Sequence, residues 1–383
     1  MSNQDLKQTI KKFAEKSLLP FQDDDEQKGI FRKEIFEELG NLGLTGLTTE
    51  EKYGGAGLDY QTLCFVLQEL ARYSVSYAVT LSVSHMVQSM IQQFGTDAQK
   101  ITYLPPLASG KEIGAFSLSE SHAGSDAASL KTRATKVKDG YELQGQKMWV
   151  TSGGIASTYL VMAQTPNPEF MKDRNPISAF IIEDKTPGFT QGKAEKKMGW
   201  KCSPTRELLF EKCFIPKQQL LGSTEGMGLK MALAALERGR FTIASIALGL
   251  ALEAFDQSLK YAKERQQFGT KIFDFQGLQF LLAEDATSIA SAKTLVEKAA
   301  QLYDEKKPSL LLSAMAKMRA TDMAMTITTN AVQILGGVGF TQEYPLERMM
   351  RDAKGLQIVE GTNQIQKMVI SRELQKFQLS DIL

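Results

Sequence analysis

Glu360 is the best-placed acid–base group in this sequence. It follows the apolar residues Leu356, Ile358 and Val359 and precedes Gly361 and Thr362. Thr362 can N-cap a following helix, so the carboxylate stands at a turn between an apolar run and a helix start. An isolated glutamate there is ordinarily solvated and helped by the helix dipole. The apolar residues before this one argue for a drier setting, which raises a carboxyl pKa and suits a general base. The helix start, with Thr362 and Gln364, offers donors to a phosphate or another polar cofactor group. Histidine hardly competes: the only two are His85 and His122. A His-based triad is therefore nearly excluded, and no metal site is expected.

Four other patches have chemistry-bearing composition. Phe116 to Asp126 (FSLSESHAGSD) combines hydroxyls with small residues. It reads equally as a loop that lets a flat or anionic ligand approach the backbone and as an ordinary strand-to-turn segment. Lys147 to Gly154 (KMWVTSGG) holds one of the two tryptophans. A core tryptophan beside a turn is the commoner reading, and an aromatic wall for a flat cofactor is the sharper one. Arg265, Gln267 and Phe268 close one helix, and Gln333 to Phe340 closes another on glycines. Either could be plain C-capping.

The elements that must position these residues fall into three segments. Helical periodicity marks Phe31 to Leu42, Tyr60 to Tyr73 and Ala78 to Phe94. Short β-branched and aromatic runs follow at 141–145, 158–163, 177–182 and 207–210. Long helices return over Gly228 to Arg265, Gln276 to Glu305, Ser309 to Leu335 and Thr362 to Phe377. The fold class is α+β, with an N-terminal α domain (1–112), a central antiparallel β domain (113–226) and a C-terminal four-helix-bundle domain (227–383). No strand–GxGxxG–helix unit is present, so a dinucleotide would not be bound in Rossmann fashion.

Composition narrows the function. Across 383 residues, 45 basic and 44 acidic side chains leave a net charge of +1, with no dense basic stripe for nucleic acid. Three cysteines without metal-type spacing read as buried, inert thiols. The most apolar stretch, Ile243 to Leu252, is too short to span a bilayer. The first twenty residues contain Asp5 and Glu15, lack arginine and have no continuous apolar core, unlike a signal or transit peptide. A soluble chain in a reducing, cytoplasmic compartment is expected.

Taken in order, the patches resemble the acyl-CoA dehydrogenase family over essentially the whole chain. The matching strings are Ser119-Glu120 with Ala123 to Asp126, Trp149 to Thr151, Arg265 with Gln267 to Gly269, Gln333 to Gly337, Arg351 to Ala353 and Glu360 to Thr362. The short-chain members look most similar from Ser82 to Glu120. The resemblance implies FAD as cofactor and a short- or medium-chain acyl-CoA thioester as substrate, converted to the trans-2-enoyl-CoA. It makes Glu360 the base that takes the α-proton while the β-hydrogen leaves as hydride to flavin N5. It assigns Phe116, Leu118, Ser119, Trp149, Val150 and Thr151 to the flavin surroundings, with Thr362 and Gln364 beside the base. Arg265, Gln267, Phe268, Gln276, Gln333, Gly336 and Gly337 match positions that contact the FAD, several of them reaching that of a neighbouring subunit. Ser125, Glu237, Arg240, Gly361 and Arg372 match acyl-CoA contacts. A homo-oligomer, as a dimer of dimers, and electron-transfer flavoprotein as acceptor follow from the same resemblance.

One family branch places its base immediately before the arginine matching Arg240; here that residue is Gly239, which cannot serve. Ser121-His122 and Val359 depart from the family pattern, the second beside the base. Two rival readings are an acyl-CoA oxidase-like enzyme using oxygen and a non-catalytic helical scaffold.

Overall fold

The computed structural model describes residues 2–166 and 176–376. The N-terminal helices are α1 (Asn3–Phe13), α2 (Gln22–Lys28), α3 (Lys33–Asn41), α4 (Tyr60–Ala71), α5 (Val75–Phe94) and α6 (Asp97–Ala108). Their starts are written in the sequence. Ser2 with Asp5 and Thr96 with Gln99 form capping boxes, and the Asp59 and Ser74 side chains cap α4 and α5. Helix α5 is buried along nearly its whole length, from Val75 to Ile91. It is hydrophobic on several faces because it packs against α4, α6, the sheet and the first long C-terminal helix.

Seven strands follow: β1 (Gly114–Ser117), β2 (Arg133–Val137), β3 (Gly140–Thr151), β4 (Thr158–Gln164), β5 (Ile177–Glu183), β6 (Phe189–Gln191) and β7 (Thr205–Pro216). Their order is β1-β4-β2-β3-β7-β6, with β5 beside β4. The sheet is mainly antiparallel, as expected, but β4 runs parallel to β1 and to one end of β2. The reason lies in the connections: β1 and β4 are separated by a loop and a β2–β3 hairpin rather than by one tight turn. The β3–β7 ladder slips between Lys147 and Val150. That irregularity takes Trp149 out of the pairing and turns it outward.

The C-terminal helices are α7 (Gly228–Glu264), α8 (Gln276–Asp304), α9 (Leu310–Leu335), α10 (Gly337–Phe340), α11 (Leu346–Leu356) and α12 (Asn363–Glu373), with a β8–β9 hairpin (Gln266–Gln267 and Thr270–Lys271) after α7. Helices α7 and α8 pack on α9, and α11 and α12 close over it. Helix α11 is absent from the sequence-based expectation; its charged outer face weakens the apolar signal, whereas Leu346, Met349, Ala353 and Leu356 are buried. The expected end of the last helix, Phe377, lies outside the described residues. No described helix is long and apolar enough to cross a membrane.

Candidate active site

Glu360 stands on the turn between α11 and α12, and three elements fix that turn. From below, α9 sends up Lys317, whose ammonium donates to Gln357 O, Gly361 O and Asn363 Oδ1 at 3.0, 3.0 and 2.8 Å. From α12, Gln366 Nε2 donates to Glu360 O and Gly361 O at 3.1 and 2.8 Å. Thr362 accepts from Ile365 N–H and so caps α12, as its position in the sequence suggests. From the sheet side, Trp200 donates its backbone N–H and its indole N–H to Asp352 Oδ1 and O on α11. Both Glu360 and Gly361 take left-handed backbone, with φ of 55° and 85°.

The carboxylate that results is nearly unpartnered. Glu360 Oε2 is buried and has no hydrogen-bond partner among the described residues. Burial pushes its pKa up to about 7, while the charges of Arg240 and Lys317 pull it down. A solvated helix-start glutamate is therefore not what this turn holds. Its dry setting has a different origin from the one the apolar run suggests, since Ile358 is 56% exposed and Leu356 is buried elsewhere. Helix α7 supplies it instead. A Cβ at Gly239 would fall 2.3 Å from Glu360 Oε2 and 2.8 Å from the Met86 methyl. The carboxylate occupies the space that a side chain at 239 would take.

Around this point α7 and α12 gather charge. Arg240 is buried, with Nε and Nη1 unpaired among the described residues. Burial lowers its pKa, Glu237 and Glu360 raise it, and Arg372 lowers it further, so the four groups feel one another. Glu237 is itself shifted up by burial, against Arg240 and Arg238. Below Gly239 a small cavity, with room for about one water molecule, is lined by Tyr60, Leu63, Ser82, His85, Met86, Ser89, Arg238 and Thr242.

A second cluster forms on the sheet. Met148 N–H donates to Ser119 O at 2.9 Å, which joins the Phe116–Ser119 segment to the slipped part of β3. Trp149, at φ 61°, is 59% exposed, so it is no core tryptophan; Trp200 takes that place at 7%. Glu120 and Lys147, paired at 2.7 Å, anchor this region, and Lys147 also donates to Leu118 O. Leu118 and Val150 are buried, Phe116, Ser119 and Thr151 are half-buried, and Ser117 Oγ and Ser152 Oγ are buried without partners among the described residues. An outward indole beside unsatisfied hydroxyls fits a flat polar ring system laid on this face.

Other sequence candidates stay apart from Glu360 within one chain. Arg265, Gln267 and Phe268 lie beyond the far end of α7, about 39 Å along the helix from Gly239 at ~1.5 Å per residue. Phe268 is 95% exposed there, and Gln276 opens α8 nearby with its own surface exposed. Gln333, Gly336 and Gly337 are exposed at the end of α9, and Ser125 and Gln364 are exposed as well. Sequence reasoning missed Lys317, Asn363 and Gln366. The available signal was a lone lysine amid Ala314, Ala316, Ala320 and Thr321 on the inward face of α9.

With this geometry in place, comparison with known proteins decides the family. Family models described as the acyl-CoA dehydrogenase N-terminal, middle and C-terminal domains match residues 2–111, 115–213 and 226–375. The chain belongs to the acyl-CoA dehydrogenase family. It is 46% identical to the short-chain-specific acyl-CoA dehydrogenase of Megasphaera elsdenii, over 96% of each chain. It superposes with TM-score 0.94 and 44% identity on a chain solved in work on the electron transferring flavoprotein of Acidaminococcus fermentans, covering 98% of both. An acyl-CoA dehydrogenase from Bacillus anthracis complexed with FAD matches at TM-score 0.91 and 30% identity, over 100% of this chain and 68% of that one. Like its family, this acyl-CoA dehydrogenase is an FAD-dependent oxidoreductase, which disfavours a non-catalytic scaffold.

Proposed function

We propose that this family member dehydrogenates a short-chain acyl-CoA at its α,β-carbons, with Glu360 as the base that removes the α-proton. The observation that carries this reading is the unpartnered, buried Oε2 of Glu360 facing Gly239. A carboxylate whose pKa is about 7 takes up a proton far better than an ordinary one, and it is still substantially ionised at neutral pH. FAD, when bound, supplies the acceptor for the β-hydrogen as hydride; Phe116, Leu118, Ser119, Trp149, Val150 and Thr151 would hold its ring system. The backbone N–H of Glu360 hydrogen-bonds to no described residue. It is therefore free to donate to the thioester carbonyl, and such a donor is typically worth ~3 kcal/mol in the transition state.

A short acyl chain is supported by the short-chain-specific relative from Megasphaera elsdenii. Arg240, Glu237, Arg372, Ser125 and Gly361 are assigned to the acyl-CoA. Arg265, Gln267, Phe268, Gln276, Gln333, Gly336 and Gly337 lie too far from Glu360 along their helices to complete its site within one chain. Their exposure supports a role in the site of a second copy, in a dimer or a dimer of dimers. Electron-transfer flavoprotein is the proposed acceptor, in a cytoplasmic β-oxidation-type reaction sequence. The Acidaminococcus fermentans structure supports that assignment.

The test is Glu360→Gln in the FAD-loaded enzyme, with anaerobic flavin bleaching by butyryl-CoA followed in a stopped-flow instrument. Reduction is expected to slow by at least ~10³-fold, with FAD and acyl-CoA still bound. Near-normal bleaching would end the assignment. Fast peroxide formation on mixing the reduced wild type with oxygen would favour an oxidase instead. In a panel of acyl-CoAs, butyryl-CoA should bleach faster than octanoyl-CoA.

A further inference from the structure

Lys317 has no part in the chemistry above, yet it lies directly behind the base. It is fully buried in the first third of α9. An ammonium has three N–H donors, and all three of its acceptors are in place. These acceptors bracket Glu360: Gln357 precedes it, Gly361 follows at once, and Asn363 begins α12. A neutral amine, with two N–H groups, could not serve all three, so the arrangement calls for the charged form. No carboxylate lies within 4.0 Å of it among the described residues. The acceptors are held in turn. Asn363 Nδ2 donates to Thr321 Oγ1 and Asp322 Oδ1 at 2.9 and 2.7 Å, and Gln357 Nε2 donates to Asp322 Oδ1 at 2.6 Å.

We propose that Lys317 is a positioning residue for the base: it clamps the 357–363 turn so that the Glu360 carboxylate meets Gly239, and its positive charge favours the ionised carboxylate. This rests on Glu360 being the base. The other charged groups about the pair are Glu237 and Arg240 on α7, Arg372 on α12, Asp322 on α9 itself and Lys354 on α11, which donates to Gln357 Oε1. Burial presses Lys317 down to about 7, with Glu360 and Asp322 opposing and Arg240 adding to the fall. Removing the lysine charge leaves Arg240 alone to lower the Glu360 pKa, so the base must titrate at higher pH.

The experiment is Lys317→Met in the holoenzyme. Flavin reduction by butyryl-CoA is measured against pH, beside binding of a non-reducible thioether analogue of butyryl-CoA. The midpoint of the rate profile should rise by about one unit or more. The rate at neutral pH should fall ~10–100-fold, with analogue binding within about threefold of wild type. An unmoved midpoint, with or without a uniform loss of rate, overturns the inference and leaves Lys317 a purely structural residue. If Lys317→Met does not fold, Asp322→Asn keeps the shape and weakens support for the ammonium. It should shift the midpoint the same way by a smaller amount, and an unmoved midpoint there is equally fatal. Normal bleaching by Glu360→Gln defeats the base assignment itself, whereas a wild-type profile for Lys317→Met beside an inactive Glu360→Gln defeats only this inference.

Discussion

Glu120 and Glu360 are both carboxylates tucked into the protein near a fully buried lysine, and the protein treats them in opposite ways. Glu120 accepts from Lys131 N–H at 2.6 Å, Thr132 N–H at 2.9 Å and Lys147 Nζ at 2.7 Å. Burial alone would raise its pKa, but the Lys147 charge and these donors outweigh it and hold the carboxyl below its ordinary value. Glu360 has an unpartnered oxygen, and its lysine donates to backbone and amide oxygens instead. Proximity to a lysine thus says little. What matters is whether the N–H groups point at the carboxylate, which then becomes a structural anchor, or at the chain around it, which then presents a basic oxygen.

The largest effect that could break this contrast is on the Glu120 side. Lys147→Met strands a buried carboxylate and should cost ~3–5 kcal/mol of stability, read from chemical denaturation. A loss below ~1 kcal/mol would show that the two sites differ less than their hydrogen bonds suggest. Next comes Gly239→Ala. Helix propensity favours alanine by up to ~1 kcal/mol, and the atoms its Cβ would meet are the ends of flexible side chains. The thermal midpoint should hold or rise while flavin reduction falls ~10–100-fold, because the carboxylate is pushed from its position. Unchanged reduction would place the working carboxylate elsewhere.

The last effect is a pH dependence of stability. A carboxyl raised from 4.5 to about 7 in the folded state adds stability that is complete below pH ~4.5 and lost as pH rises through ~7. Glu360→Gln should therefore gain ~3 kcal/mol on wild type between acidic and mildly alkaline pH. Parallel denaturation curves at about pH 4.5 and 8 check this, and equal differences at both would contradict the raised pKa.

Much of this architecture is legible from local patterns. The long helices, most strands and the Thr362 cap follow from periodicity and side-chain chemistry that act within a few residues. What stays hidden is contact between distant segments. Nothing near Glu360 in the chain announces that α7 offers Gly239 as the floor for its carboxylate, or that Lys317 of α9 holds its turn. The apolar neighbours mislead in detail, since Ile358 faces outward. Trp149 misleads in the other direction, because a slipped ladder exposes a side chain that composition would place in the core. The parallel placement of β4 has the same origin: strand order is set by packing, which no single strand encodes.

The left-handed backbone of Glu360 has a consequence for engineering. A side chain other than glycine at φ 55° is strained by about 1 kcal/mol or more, and this one also buries a carboxylate. Glycine or asparagine at 360 would relieve both burdens at once. A library of this enzyme screened only for heat resistance would thus enrich inactive chains at this one codon, and each would look like an improvement until acyl-CoA was added.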